Sequence, residues 1–285
     1  MNKTETIKLN NWIRNKMPLE PTQGDQDVKR RLTASPLMLE FLISLHDHRH
    51  LVGSTQMPLT VVEMYEMACN VMLSRVERTE SGAIAAKVAE PHVSRLLEAI
   101  FLETHNARVR VIEEEHLLMA ALSLVAPQQL KAIQAREKVE SRKAALRISC
   151  RHLPPEVANA LRIVRERMLQ DRLPVMRLLQ AEPLQMQAAH LSFQEFFVAR
   201  AIRDNDSAAS LQFKLRLKPW NFDAFWSGTL KMGGEMGHAF SRGLLRAAGK
   251  PSAEELDLQE QIGGHPETAL RAIQLLVMGG VKRLS

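Results

Sequence analysis

The sequence predicts a mainly α-helical protein with one small β-hairpin. Three observations lead there. Apolar residues recur at three- and four-residue spacing in segment after segment. Helix-start signals precede those segments at Ser35-Pro36, Thr60 to Glu63, Pro154-Pro155-Glu156 and Ser192 to Glu195. Only residues 184–190 alternate apolar and polar in the manner of a half-buried strand.

Taken in order, the first helix opens at Ser35-Pro36. Serine caps it, and proline suits the first position because its missing N–H would be unpaired there anyway. Leu37, Leu39, Phe41, Leu42, Ile43 and Leu45 make it apolar on most of its circumference. Thr60 and Glu63 form a capping-box pair ahead of a second helix, whose Val61, Met64, Tyr65, Ala68, Met72 and Leu73 share a face. Further helices are expected over Ile84–Glu103 and Glu113–Val125. The Lys/Arg/Glu/Ala-rich stretch Gln128–Leu146 reads as an exposed helix or a mobile segment. Pro154-Pro155-Glu156 starts a helix reaching about Gln170.

The period then changes. Leu184, Met186, Ala188 and His190 fall on one face of a strand, which places His190 on the buried side. Val175–Leu179 would pair with it across the turn Ala181-Glu182-Pro183, giving a two-stranded wing that must pack on helices to be stable. Ser192 and Glu195 form a second capping-box pair, for the helix Phe193–Arg203. Helices are expected beyond it over Trp220–Met232, His238–Ala248, Ala253–Ile262 and Pro266–Met278. Trp220, Phe222 and Trp226 read as core aromatics.

Composition sets outer limits. The 285 residues suit two domains or one large one, and 45% hydrophobic with 25% charged residues is ordinary for a globular chain. The net charge of +6, from 38 Lys+Arg against 32 Asp+Glu, is compatible with an acidic partner without requiring one. No basic run with interleaved aromatics appears, so nucleic acid is not an expected partner. Cys69 and Cys150 read as reduced, buried thiols. The polar N-terminus lacks the apolar stretch of a secretory leader, and the longest apolar run, 117–126, falls short of the roughly 20 residues of a membrane span. A cytoplasmic location without a membrane partner is therefore expected.

Catalytic motifs are missing. Gly249-Lys250 is followed by Pro251, and Leu244 stands where the first glycine of a phosphate-binding loop belongs. No acidic Walker-B-type strand end is present. His46 and His50 would share a helix face, yet two histidines without a Cys or carboxylate third fit a solvated helix end better than a metal site. Glu113-Glu114-Glu115-His116 reads as an acidic helix start. The expectation is a chain that is not an enzyme by itself and holds no metal. His190, at a strand end just before a helix N-terminus, could meet an anion. Spacing alone fits a satisfied core histidine better.

The stretch Ala189-His190-Leu191-Ser192-Phe193-Gln194-Glu195-Phe196-Phe197-Val198-Ala199 closely resembles the H-[LM]-[ST]-F-Q-E-[FY]-F-A-A motif of NACHT-type signal-transduction (STAND) ATPases. Thr33-Ala34-Ser35-Pro36-Leu37-Met38-Leu39 is similar to that family's N-P-L-L-L start of a helical domain, with Ser35 in place of the usual Asn. Pro58 to Leu73 resembles the helix that begins its winged-helix region, without the basic residue usual there.

The resemblance implies a helical domain over 7–55, a winged-helix domain over 56–203 and a second helical domain over 204–285. It implies that His190 contacts the β-phosphate of bound ADP and that Pro36 packs on the adenine. It also implies an upstream nucleotide-binding domain, for which this sequence supplies neither Walker A nor Walker B. The chain then looks like the regulatory back half of such an ATPase. It would bind no nucleotide tightly alone, and would read ADP or ATP held by a P-loop domain in cis or in trans, with homo-oligomers possible. A helical interaction scaffold, or a winged helix that binds nucleic acid, is the alternative.

Overall fold

The computed structural model describes residues 58, 60–76, 91–204 and 224–248. The predicted helix at 36–45, His46, His48, His50, Pro36, Trp220, Phe222 and the helices expected over 253–262 and 266–278 lie outside the described residues. The chain falls into two compact units, 1–88 and 89–285. Nine α-helices and one three-stranded sheet make up the described part, a mainly α fold.

The first unit contributes helix α1, Val61–Val76. Thr60 starts it as expected, its hydroxyl accepting the Glu63 N–H at 3.1 Å. Met64, Tyr65, Ala68 and Leu73 are buried, as their spacing predicts, and Val61 and Met72 are half-buried.

The second unit opens with α2, Pro91–Asn106, followed by β1, Ile112–Glu113, and α3, Glu114–Val125. Then come α4, Pro127–Gln134, α5, Val139–Cys150, and α6, Pro155–Leu169. The hairpin β2, Met176–Gln180, and β3, Gln185–Ala188, leads into α7, Leu191–Asp204. After a 3₁₀ turn at Ala224–Trp226 come α8, Ser227–Glu235, and α9, His238–Ala248. Gly237 joins these two at φ +72°, a left-handed position natural for glycine past a helix end.

Helices α2, α3 and α6 pack together, and the hairpin follows them. The sheet order is β1-β3-β2, all antiparallel. Helix, strand, helix, helix and hairpin follow in the element order that a winged helix has, with α4 and α5 between α3 and α6. The expected two-stranded wing therefore gains a third strand: Ile112 pairs with Met186 and Glu113 with Gln185. Two residues are too short to show alternation, so β1 left no periodic signal. The Gln128–Leu146 stretch is helical and largely exposed, as one of its two readings had it, but not wholly so. It forms parts of two helices, and Leu130, Ile133, Ala145 and Leu146 bury against Leu122 in a satellite core. Its apolar stripe is narrow, and the surrounding charges masked it.

Helix α7 is the centre of the second unit and packs against α2, α8 and α9. Phe193, Phe196, Phe197, Val198 and Ile202 are buried, and Phe197 stacks on Phe101 of α2 with ring centroids 5.2 Å apart. Burying side chains of this size stabilises by about 1.5–3 kcal/mol each. Trp226 is buried, as expected for a core aromatic.

Gly243 of α9 meets the α7 backbone. A Cβ there would run into the Ile202 carbonyl oxygen, which a rigid helix cannot move aside cheaply. Gly243→Ala is expected to destabilise by about 1–3 kcal/mol, although alanine is the better helix former. Thermal unfolding followed by circular dichroism checks this. An unchanged or higher midpoint would show that α7 and α9 have room to spare.

Candidate functional site

The only sequence-predicted site residue within the described structure is His190. The strand ends at Ala188, so the alternation that placed His190 inside stops two residues short of it. Leu184 and Met186 are buried as expected, Ala188 is half-buried, and His190 is exposed. The buried-face expectation is thus corrected.

The second capping box is corrected as well. Helix α7 begins at Leu191, which makes His190 the capping residue. The Ser192 N–H donates to His190 Nδ1 at 3.3 Å, the Ser192 Oγ lies 2.6 Å from the same nitrogen, and the Phe193 N–H donates to the His190 carbonyl at 3.0 Å. Glu195 reaches α8 instead of the helix start: its carboxyl fills the space over Gly228. Burial there raises its pKa, and Lys231 partly offsets the rise. A capping box needs serine at the capping position, and Ser192 stands two residues beyond it, inside the first turn.

In the tautomer whose Nδ1 accepts the Ser192 N–H, the ring proton sits on Nε2. The site then offers an exposed N–H donor at a helix N-terminus, where the helix dipole also favours an anion.

Behind it, α7 is anchored by polar contacts to α2. The Gln194 amide donates to the Thr104 hydroxyl at 3.3 Å. The Arg200 Nε donates to Glu98 Oε1 at 2.7 Å, its Nη2 bonds Ser94, and its guanidinium lies 4.7 Å from the Phe197 ring centroid.

Sequence reading missed His105. It is buried in α2 between Phe225 and Trp226, with ring centroids 4.4 and 4.3 Å away. Its Nε2 lies 3.4 Å from the Thr229 hydroxyl, while Nδ1 has no partner. Burial, followed by the nearby Arg108, holds its pKa down at about 4. No spacing rule flags a histidine whose surroundings come from a segment 120 residues onward.

Other candidates have structural uses. The His116 Nδ1 accepts the Glu113 N–H at 3.0 Å, so the acidic helix start is closed by its own histidine. Among the described residues, no three His, Cys, Asp or Glu side chains gather as metal donors. Cys69 is buried as expected, whereas Cys150 is only half-buried. The Cys150 thiol donates to the Leu118 carbonyl at 3.5 Å, and burial pushes its pKa up to about 11, which leaves it unreactive near neutrality.

Helix α6 stands where a helix-turn-helix would carry its base-reading residues. Its exposed arginines are engaged: Arg162 bonds the Glu166 carboxylate at 2.8 Å, and Arg165 pairs with Glu114 at 2.6 Å. Among the described residues, no helix is long and apolar enough to cross a membrane. Compared with known proteins, the chain matches no family model, no curated sequence and no solved structure.

Proposed function

We propose that this chain is the regulatory helical and winged-helix module of a NACHT-like signalling switch controlled by ATP and ADP, and is not catalytic by itself. One observation supports the reading above the others. His190 is exposed at the junction of wing and core helix, with Nδ1 tied to Ser192 and, in the tautomer that accepts the Ser192 N–H, Nε2–H left as a donor. A phosphate oxygen held by a P-loop domain, in cis or in trans, is the acceptor such a donor suits. Pro36 would pack on the adenine by the same resemblance. The partners are protein: the P-loop domain and, once exchange to ATP releases the winged helix, further copies of the switch. A cytoplasmic setting follows from a nucleotide signal.

The nucleic-acid alternative is weakened by the paired arginines of α6. The scaffold alternative gives His190 only its capping role, which makes the two readings separable.

Asparagine is also a good cap. His190→Asn is therefore expected to hold the unfolding midpoint while removing the Nε2 donor. The tagged full chain, recovered from its native cells, should carry ADP together with a P-loop protein, and the His190→Asn chain should lose the nucleotide. Equal nucleotide in both preparations, or none in either, would reject the proposal.

A further inference from the structure

We propose that Ser192 is the positioning residue for His190, holding the ring so that Nε2 faces outward from the start of α7 and carries the proton. The inference rests on the nucleotide-switch reading for its purpose, and on interatomic distances for its geometry.

His190 is exposed, so packing does not fix its ring. A surface histidine turns about two side-chain torsions, and each turn changes which ring edge meets the solvent. Two contacts restrain it here, and both come from Ser192. The hydroxyl Oγ lies 2.6 Å from Nδ1, and the backbone N–H donates to the same nitrogen at 3.3 Å. Ser192 is itself buried in the first turn of α7, so it offers the ring a fixed point.

The two contacts have different effects. The amide bond is long, since N–H donors mostly lie about 2.7–3.2 Å from their acceptors. The hydroxyl contact is short and supplies most of the hold. A hydroxyl can donate or accept, however, so it would restrain either tautomer. The amide can only donate. A proton on Nδ1 would face the Ser192 N–H, and that first-turn donor would lose its cap. The hydroxyl therefore sets the position of the ring, and the amide sets the position of its proton.

Held in this way, the outward edge carries a donor and no lone pair. It suits a phosphate oxygen and rejects an amine or a metal ion. Without the hydroxyl the ring turns, and a carbon edge or an unprotonated nitrogen reaches the same space. The helix N-terminus favours anions in general, and Ser192 makes the histidine agree with it.

The test labels the histidines of the full chain with ¹⁵N and reads them by NMR at about pH 8.5, two units above the ordinary histidine value. The signal missing from His190→Asn identifies His190. It is expected to show one tautomer, with the proton on Nε2. Ser192→Ala should lower the ratio of that tautomer to the other by about fivefold, the factor carried by a typical hydrogen bond. Ser192→Thr, which keeps the hydroxyl, should restore it. Alanine is a good helix former, so the alanine chain should fold, and the tautomer of the unaltered chain needs no variant at all. The ADP recovered with the chain and its P-loop protein from native cells should fall by a similar factor in Ser192→Ala and return in Ser192→Thr. A serine that only stabilised the helix would move the unfolding midpoint and leave both readouts unchanged.

A ring that carries its proton on Nδ1, or averages between tautomers, would overturn the assignment. So would a Ser192→Ala chain with the parent's tautomer ratio, or one with the parent's ADP. ADP absent from every preparation would reject the nucleotide switch alone, and the tautomer would then decide whether Ser192 positions the ring.

Discussion

Arg200→Met is expected to destabilise the second unit by about 3–5 kcal/mol, the cost of leaving one member of a buried ion pair alone. Arg200 is 7% exposed, and Glu98 opposite it is nearly as enclosed. Burial already pushes the Glu98 pKa up, against the downward pull of Arg200. Without the arginine, Glu98 must take up a proton or carry an uncompensated charge, and the packing of the guanidinium on Phe196 and Phe197 is lost too. Arg200→Lys should recover little, because an ammonium cannot bond Glu98 and Ser94 while lying flat on a ring. Replacing both partners, as in Glu98→Leu with Arg200→Met, should cost far less than either change alone, since no orphaned charge remains. Urea unfolding of the four proteins makes the double-mutant cycle. A single-mutant loss under about 1 kcal/mol would show the pair to be no more than a surface bridge.

Acidification should weaken the same unit through His105. Its pKa is about 4 when folded, against an ordinary 6.5. The unfolded chain therefore takes a proton near pH 6.5 that the folded chain refuses until about pH 4. The stability this provides is complete above pH 6.5, falls as pH drops from 6.5 to about 4, and then levels off. Its size is ~3 kcal/mol. The physical cause is burial between two aromatic rings, with Arg108 adding repulsion. Urea unfolding at intervals across that range should show the slope, and His105→Leu should flatten it. A variant with the same slope as the parent would assign the acid sensitivity to other groups.

Much of the fold was legible because it repeats locally. Thr60 as a cap, the buried face of α1, the helix from Pro155 and the hairpin turn at Ala181–Pro183 each depend on residues a few positions apart. The errors have a common source. Strand β1 is two residues long and exists only because β3 offers it an edge. Helices α4 and α5 carry a narrow apolar stripe that becomes a core only when Leu122 of α3 faces it. His190 sat at the end of an alternating run, and a single bend moved it from the buried face to solvent.

By itself, the sequence determined the mainly α class, most helix starts and the position of the wing. Those follow from 3.6- and 2-residue periodicity and from capping chemistry, which act between near neighbours. It also placed an aromatic-rich helix at 193–203, which the structure extends to 191–204. Only the tertiary structure decided that His190 caps that helix and stays exposed, that Arg200 is locked to Glu98, and that His105 is buried without its charge. Each of these depends on which groups the fold brings into contact and how much water it excludes, and both are properties of packing over long sequence separation.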